Sequence, residues 1–391
     1  MNHTAFIDGV LANAITSGKI PGLVAAAADQ TGTLYHSALG RRDASRPQPM
    51  TVDCVFRIAS MTKAITGAAA MQMVEQGKLS LDQPAREILP FLAETKVLDG
   101  FDDNGTPRLR APRGEITLRK LLTHTAGFVY DTWNENLNRY ARLTNLPATR
   151  TGKLAALTAP LGFDPGERWE YGINIDIAGR MVEVTSGLDL ETYMQRHIFA
   201  PLAMVDTSFI SRPEWDSRMT TLHARQADST LKPIDAPVTA TEEREFFTGG
   251  GGLFSTVPDY LRFLRALMHG GELDGSRILR PETVASMSEN HMGALNVLPM
   301  KSFVPHLSND VELFPGMPKT WGLSFLINTQ DVPGGRSAGS LAWAGLNNTY
   351  YWLDLSRKVA GVLMTQILPF GDAAVLDALA AFETVVYQAI S

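Results

Sequence analysis

The apolar and polar positions of this chain follow two periods, one typical of strands and one typical of helices. Short apolar runs flank Gly32 within residues 22–40 and predict a β-hairpin. Across residues 81–240 apolar positions recur at helical spacing, interrupted by Pro and Gly. Strand-like runs return over residues 340–367, and an apolar helical pattern fills residues 372–390. The predicted strands therefore lie near both ends of the chain.

This arrangement predicts one sheet built from both chain ends, with a helical lobe inserted between them. The expected fold class is α/β of the α+β type, an antiparallel sheet flanked by helices. We expect residues 1–80 and 241–391 to form the sheet domain and residues 81–240 to form an inserted, mainly helical domain. An amphipathic helix that ends at Gly18 is expected before the first strand.

One predicted helix is apolar on most of its sides. It begins near Ser60 in the segment FRIASMTKAITGAAAMQMVEQG and stops at Gly77. A helix with this pattern is buried, and its place between two lobes is a usual position for a cleft. Ser60 and Lys63 stand three residues apart at its start, so their side chains share one face of the helix.

The pair of Ser60 and Lys63 is the first sign of chemistry. A serine hydroxyl becomes a good nucleophile when a nearby base takes its proton, and a lysine amine is a base only when it is neutral. An ordinary lysine pKa of about 10.4 leaves roughly 1 in 2,500 side chains neutral at pH 7. Burial and the positive end of the helix dipole would lower that pKa. The alternative is a core helix whose first turn holds a capping serine and a solvated lysine.

Composition narrows the possible partners. The 391 residues are 45% hydrophobic and can bury a large core, and the formal charge of -6 argues against nucleic acid or an anionic membrane as a partner. The single Cys54 excludes an internal disulfide and is expected in the core. We recognise no secretory signal, no apolar span of ~18 residues and no metal-binding spacing among the histidines. A cytoplasmic protein without a metal site is therefore expected, and no cofactor is expected either.

Two further serine motifs occur in the chain. Ser229 and Lys232 repeat the Ser-x-x-Lys spacing beside a proline, where we expect a turn or short strand. Residues 335–339 match the G-x-S-x-G pentapeptide of α/β-hydrolases, which requires a strand-to-helix elbow followed by Asp and His. Here the pentapeptide leads into a strand-like run and no histidine follows His306, so a loop is expected. His124, in LLTHTAGF, is expected to hold a loop in place.

Two later motifs accompany the Ser-x-x-Lys pair. Tyr171 stands in PGERWEYGIN before a helical pattern, and Trp343–Leu346 reads WAGL on a predicted strand. In this order and at this spacing the motifs resemble those of serine β-lactamases and penicillin-binding proteins. More closely, the chain is similar to the class C β-lactamase-like esterases (family VIII carboxylesterases) and to fungal acyltransferases of the lovastatin type. Residues 97–128 are particularly similar to the acyltransferases, and GSLAWAGLNNTYYWLD to both groups.

The resemblance implies a set of site residues. Ser60 matches the family nucleophile, Lys63 its partner amine, and Tyr171 the tyrosine that shares the general-base role and protonates the leaving group. A phenol near a cation is held closer to its anionic form, so Lys63 and Tyr171 could pass one proton between them. The backbone N–H groups of Ser60 and Leu346 would form the oxyanion hole. The alternative for Tyr171 is an ordinary core tyrosine.

Departures from the β-lactamase pattern bear on the substrate. Where those enzymes carry Tyr-x-Asn, this chain has Ile173, with Asn174 one place later, and where they carry Lys-Thr-Gly it has Trp343 to Gly345. The family asparagine and lysine bind a substrate amide and carboxylate, and Ile and Trp cannot make those contacts. Packing alone is the alternative role for the Trp. We expect a neutral substrate, and the residues expected to bind it are Trp343, Ala344, Gly345 and Tyr130, the last of which could instead be a core residue.

These features together predict a serine carboxylesterase that hydrolyses small neutral carboxylic esters through an acyl-serine intermediate. One alternative is an acyltransferase that passes the acyl group to an alcohol. A weak β-lactamase or D,D-peptidase is disfavoured by the two departures. From another class, a penicillin-binding sensor would be acylated without turnover. The sequence leaves open whether water or an alcohol accepts the acyl group.

Overall fold

A computed structural model of the chain describes residues 3–235 and 243–390. The α-helices are α1 (His3–Thr16), α2 (Thr62–Glu75), α3 (Leu118–Leu122), α4 (Glu135–Thr144), α5 (Asn174–Ser186), α6 (Leu190–Met194), α7 (Val257–Met268), α8 (Pro281–Met287) and α9 (Ala373–Ile390). The strands are β1 (Gly22–Asp29), β2 (Thr33–Gly40), β3 (Phe56–Arg57), β4 (Val97–Phe101), β5 (Pro107–Arg110), β6 (Leu222–Arg225), β7 (Leu231–Ile234), β8 (Phe254–Ser255), β9 (Glu272–Leu273), β10 (Ser276–Arg277), β11 (Lys319–Trp321), β12 (Leu326–Asn328), β13 (Leu341–Gly345), β14 (Thr349–Asp354), β15 (Val359–Met364) and β16 (Ile367–Leu368).

The main sheet combines strands from both ends of the chain. Within the described residues its order is β11-β12-β13-β14-β15-β1-β2, and the neighbouring strands are antiparallel. Val24 of β1 lies opposite Met364 of β15, so the first strand of the chain is an interior strand of the sheet. The predicted hairpin around Gly32 and the predicted late strands are confirmed, and so is the helix before them, which ends at Thr16.

Helices cover both faces of this sheet. On one face Phe382 of α9 contacts the rings of Tyr35 in β2 and Trp352 in β14, and α9 packs against α1. On the other face α7 packs against β15 and β1, and the ring of its Tyr260 lies 5.2 Å from that of Tyr351. Adjacent residues of a strand point to opposite faces, which explains why neighbours in β14 reach different layers. The predicted fold class, an antiparallel sheet flanked by helices, is confirmed.

Helix α9 is long and apolar enough to cross a membrane, by length and composition alone. Core helices of soluble proteins meet the same criteria. In this structure α9 packs against α1 and the main sheet, with Val375 and Phe382 fully buried. The expectation that the chain has no apolar span of this length is therefore wrong for residues 373–390, of which 39% are buried in this structure.

Helix α2 lies at the centre of the molecule. Every residue from Thr62 to Met73 is buried, as its all-round apolar pattern predicts. It packs against α5, and the 3-10 turn Ala59–Met61 at its start packs against β13 and β14 of the sheet. Gly77 has a φ of 68° and follows the last helical turn, the position predicted for the helix stop. The start of α2 thus lies between the sheet and the helical part of the chain.

Several segments depart from the predicted helical pattern. The 3-10 segments Ala85–Glu87 and Pro90–Glu94 lie where the pattern is helical, because Pro90 lacks the N–H group that a continuous α-helix would need at that position. The hairpins β4–β5 and β6–β7 lie inside residues 81–240, and β6 pairs with β16 beyond that interval. The predicted boundary after residue 240 lies outside the described residues, so the division into domains stays a prediction.

Candidate active site

Ser60 is held in a strained turn at the entrance to α2. It lies in the 3-10 segment Ala59–Met61, and the φ of Ala59 is 45°, in the left-handed region. A non-glycine residue in this region costs about 1–2 kcal/mol. The hydroxyl of Tyr260 donates a hydrogen bond of 2.9 Å to the carbonyl of Met61, which helps to hold the turn. Ser60 itself is half-buried, so its hydroxyl lies where a substrate can reach the turn.

The Lys63 amine lies directly behind Ser60. Its side chain is fully buried, and Nζ lies 3.2 Å from Ser60 Oγ, 3.0 Å from the Tyr130 hydroxyl and 2.6 Å from the carbonyl oxygen of Gly250. Burial lowers the pKa of Lys63 to about 7, and the nearby carboxyl of Asp176 opposes this shift. A large fraction of the amine is therefore neutral near neutral pH, which is the form that can take a proton from serine.

Tyr171 completes the group around Ser60. Its hydroxyl interacts with the Ser60 side chain and accepts a hydrogen bond of 3.0 Å from the indole N–H of Trp343. Burial raises the pKa of Tyr171, and this outweighs the lowering by its hydrogen bonds to Ser60 and Trp343. The expectation that a nearby cation holds this phenol close to its anionic form is therefore wrong, because desolvation dominates. Tyr171 is a neutral phenol with a proton to donate.

These pKa directions predict how activity depends on pH. The kcat/KM for a neutral ester should rise with pH and level off above about 7, falling about tenfold per pH unit below that value as Lys63 becomes protonated. Charged and titratable groups around this amine include Asp176, Tyr130, Tyr171 and His124. Initial rates with an uncharged ester between about pH 5 and 10, corrected for spontaneous hydrolysis, check this. A rate still climbing steeply at about pH 10 would mean an ordinary lysine pKa.

His124 and Asn174 hold the segment that carries Tyr171. The side-chain amide of Asn174 donates to the carbonyl of Phe128 at 2.8 Å and lies 3.1 Å from His124 Nδ1. The N–H of Gly172 also donates to His124 Nδ1, at 3.4 Å, so this nitrogen is an acceptor. Burial lowers the pKa of His124 well below its usual value, which keeps the ring neutral. Asn174 is thus used inside the protein, and His124 has the structural role predicted for it.

The end of β13 meets the turn that carries Ser60. A Cβ added to Gly345 would lie 2.2 Å from the carbonyl oxygen of Ile58, so this close approach requires glycine. Leu346 follows directly and is half-buried. The two backbone N–H groups predicted to form the oxyanion hole, those of Ser60 and Leu346, are therefore carried by elements in contact. Their role as an oxyanion hole stays a prediction.

The four residues expected to bind substrate differ in how far they are buried and in what they contact. Trp343 is only 4% exposed and is hydrogen-bonded to Tyr171. Ala344 is buried and belongs to the opposite face of β13, so only its backbone can line the same side as Trp343. Gly345 contacts the Ser60 turn through its backbone. Tyr130 is half-buried, and its hydroxyl lies 3.0 Å from Lys63 Nζ, so it contacts the lysine directly.

Three residues of this neighbourhood were not predicted from sequence. Asp176 lies on α5 and Gly250 in the glycine run before β8, and both contact or influence Lys63. Trp133 is half-buried, and its ring lies 5.8 Å from that of Tyr130 and 5.4 Å from that of Tyr171. A signal for Asp176 exists in the sequence, since it is the one carboxylate in the apolar segment INIDIAG.

The other motifs lie away from this group. Ser229 and Lys232 belong to the β6–β7 hairpin, and residues 335–339 form a loop before β13, as predicted for both. Cys54 is buried, also as predicted. Across residues 3–235 and 243–390, no three His, Cys, Asp or Glu side chains cluster in a way that could hold a metal ion.

Comparisons with known proteins agree with this geometry. The family model described as beta-lactamase matches residues 7–385. Monacolin J acid methylbutanoyltransferase from Aspergillus terreus is 34% identical over 96% of this chain and 93% of its own length. Lovastatin esterase from Penicillium rubens is 33% identical over 98% of both chains. The unliganded structure of simvastatin synthase (LovD) from Aspergillus terreus superposes with a TM-score of 0.84 at 31% identity, covering 100% of this chain and 99% of that one. The chain therefore belongs to the beta-lactamase family and is an enzyme of its serine hydrolase and acyltransferase branch.

Proposed function

We propose that this enzyme is a carboxylesterase that hydrolyses small neutral carboxylic esters through an acyl intermediate on Ser60. The observation that carries the proposal is the fully buried Lys63 amine, 3.2 Å from Ser60 Oγ and with its pKa lowered to about 7. An amine of this kind can accept the serine proton without first losing one to solvent. Tyr171, on the other side of Ser60, supplies a neutral phenol.

Acylation begins with attack of Ser60 Oγ on the ester carbonyl carbon. The new C–O bond forms as the hydroxyl proton passes to Lys63 Nζ, and the carbonyl π electrons move to the oxygen, which the N–H groups of Ser60 and Leu346 stabilise. When the tetrahedral intermediate collapses, the bond to the alcohol oxygen breaks. The departing alkoxide takes the proton of Tyr171, and the Lys63 ammonium restores that proton.

Deacylation repeats these steps with water as the nucleophile. Water attacks the acyl carbon and gives a proton to Lys63, and the bond between the acyl carbon and Ser60 Oγ breaks. Tyr171, whose hydroxyl interacts with Ser60, returns a proton to the serine oxygen and regains one from the ammonium. The carboxylic acid leaves, and each residue is again in its starting protonation state.

A neutral substrate is favoured by Ile173 and Trp343, the residues that stand where β-lactamases carry the asparagine of Tyr-x-Asn and the lysine of Lys-Thr-Gly. Ile173 is apolar and Asn174 uses its amide on Phe128 and His124, so neither offers an amide contact to a ligand. Trp343 gives its one donor to Tyr171. A β-lactam carboxylate would therefore lack the cation that Lys-Thr-Gly supplies in β-lactamases. Nitrocefin turnover as fast as that of an aryl ester would contradict this part of the proposal.

Acyl transfer to an alcohol is the second candidate. It is favoured by the relative from Aspergillus terreus, a named methylbutanoyltransferase, which is as similar to this chain as the named lovastatin esterase is. The two reactions share the acyl-serine intermediate and differ only in whether water or an alcohol attacks it. The relative rates at which water and an alcohol attack the acyl-serine decide between them.

The partition of the acyl group tests the proposal. The enzyme is incubated with an aryl ester, with and without a primary alcohol, and acid, new ester and labelled protein are measured by mass spectrometry. The expected result is an adduct on Ser60 and mainly free acid in both incubations. Mainly new ester would favour the transferase, and a burst of aryl alcohol followed by no steady state would favour a non-turnover sensor. An adduct on another residue would overturn the proposal.

A further inference from the structure

A buried carboxyl group outside the mechanism described above lies next to the catalytic lysine. Asp176, on α5, is 1% exposed, and its Oδ1 accepts a hydrogen bond of 2.9 Å from the N–H of Gly250. The carbonyl oxygen of the same glycine accepts from Lys63 Nζ at 2.6 Å. Gly250 therefore joins the carboxyl group and the amine through its two backbone groups.

The second oxygen of this carboxyl group is held close to the same glycine. A Cβ on Gly250 would lie 2.4 Å from Asp176 Oδ2, so the contact requires a residue without a side chain. Among the described residues Oδ2 has no hydrogen-bond partner, so it can still accept one. Burial raises the pKa of this carboxyl group, and the charge of Lys63, the N–H of Gly250 and the nearby hydroxyl of Tyr130 oppose that rise by favouring the carboxylate. Tyr130 also lies 3.0 Å from Lys63 Nζ, so its hydroxyl stands between an acid and an amine.

The hydrogen bonds around Lys63 Nζ limit what the amine can do. A neutral amine has two N–H groups and one lone pair, and the carbonyl of Gly250 can only accept, so it occupies the first N–H. A tyrosine oxygen can either accept or donate. If Tyr130 donates to the lone pair, the second N–H points to Ser60 Oγ and the amine cannot act as a base. If Tyr130 accepts, the lone pair is left for the Ser60 proton.

We propose that Asp176 is a positioning residue that selects the second arrangement. Its carboxylate accepts the O–H of Tyr130, so the oxygen of Tyr130 accepts from Lys63 and the lone pair of the amine faces the hydroxyl of Ser60. This proposal rests on the proposed function, in which Lys63 takes the Ser60 proton. Once that proton arrives, the ammonium has three N–H groups, and the nearby carboxylate stabilises its charge, the task that an aspartate performs for histidine in serine proteases.

The substitution Asp176→Asn tests the proposal. The amide Oδ1 can still accept from Gly250, but the NH₂ group at the other position donates to Tyr130 and turns its O–H toward the lysine lone pair. The rate of Ser60 acylation by a fluorophosphonate probe should fall about 10- to 100-fold, the effect of reversing one hydrogen bond in a buried network. Asp259→Asn makes the same change at a buried carboxylate on α7, and acylation should stay within about twofold of the parent enzyme.

A double-mutant cycle distinguishes positioning from general loss of structure. Tyr130→Phe removes the group through which Asp176 acts, so adding Asp176→Asn to it should slow acylation little further. Circular dichroism and thermal melting confirm folding, and Asp176→Ser repeats the cycle should the asparagine destabilise the protein. Independent, multiplying effects of the two substitutions, or a single Asp176→Asn variant within about twofold of the parent, would overturn the proposal. Labelling of the parent enzyme away from Ser60 would instead overturn the proposed function.

Discussion

Replacing Ser60 by alanine is expected to lower kcat for ester hydrolysis by about 10⁴-fold or more while leaving the fold intact. The substitution removes the oxygen that would form the acyl bond, which lies 3.2 Å from Lys63 Nζ and interacts with the hydroxyl of Tyr171. Alanine is compatible with the start of a helix, so circular dichroism should be unchanged. Steady-state hydrolysis and probe labelling of the purified variant provide the measurement.

Ser337→Ala is the matched control for this prediction. Ser337 lies in the G-x-S-x-G loop before β13, where its backbone N–H donates to Asp354 at 2.8 Å, a contact that alanine retains. Ser337 is half-buried and its side chain also interacts with Asp354, so a small loss of stability is expected, but hydrolysis should stay within about twofold of the parent enzyme because the loop lies outside the site. Loss of activity in Ser337→Ala with retention in Ser60→Ala would mean that the pentapeptide carries the nucleophile.

Tyr171→Phe is expected to lower kcat by about 10²- to 10⁴-fold, the usual contribution of a positioned proton donor. The variant keeps the ring that packs against Trp343 and His124 but removes the proton that the leaving alkoxide needs. The N–H of Trp343 also loses its acceptor, which adds a stability cost of about 1–3 kcal/mol for an unpaired buried donor. The measurement is kcat with esters of alcohols that differ in pKa.

The dependence on leaving group separates the role of Tyr171 from general damage. An aryl alcohol leaves without full protonation, so its ester should lose less rate than an alkyl ester does in Tyr171→Phe. Tyr193→Phe serves as the control, because it removes a buried hydroxyl on α6, away from the site. Equal losses for both ester types would argue that Tyr171 has only a packing role.

The parts of the fold that sequence predicts are those set by local patterns. Helix α2 follows from its all-round apolar composition, and Ser60 and Lys63 share a face because the helical period places residues i and i+3 together. The late strands follow from short runs of β-branched and aromatic residues. Pro90 shows the limit of such patterns, because its missing N–H group interrupts an apolar period that is otherwise helical, and two short 3-10 segments form there instead.

The parts of the site that sequence does not predict depend on contacts between distant segments. Gly250 reaches Lys63 through its backbone carbonyl, a group that every residue has and that no pattern distinguishes. Asp176 is a buried acid whose partner lies on another element, so only the packing of α5 against α2 reveals their proximity. For Tyr130 the sequence predicts a substrate wall or a core position, and its bond to Lys63 joins side chains 67 residues apart, which no local pattern indicates.

The position of β1 inside the sheet has a consequence for biosynthesis. Strand β15, which pairs with one edge of β1, is synthesised more than three hundred residues after it. That Ala-rich edge of β1 therefore has no partner strand while most of the chain is made. Unpaired apolar strand edges attract other chains, and pairing across such long separations is slow. Nascent chains that stop before Val359 lack the strand that joins both halves of the sheet, so they should accumulate as aggregates even though every catalytic side chain has already been synthesised.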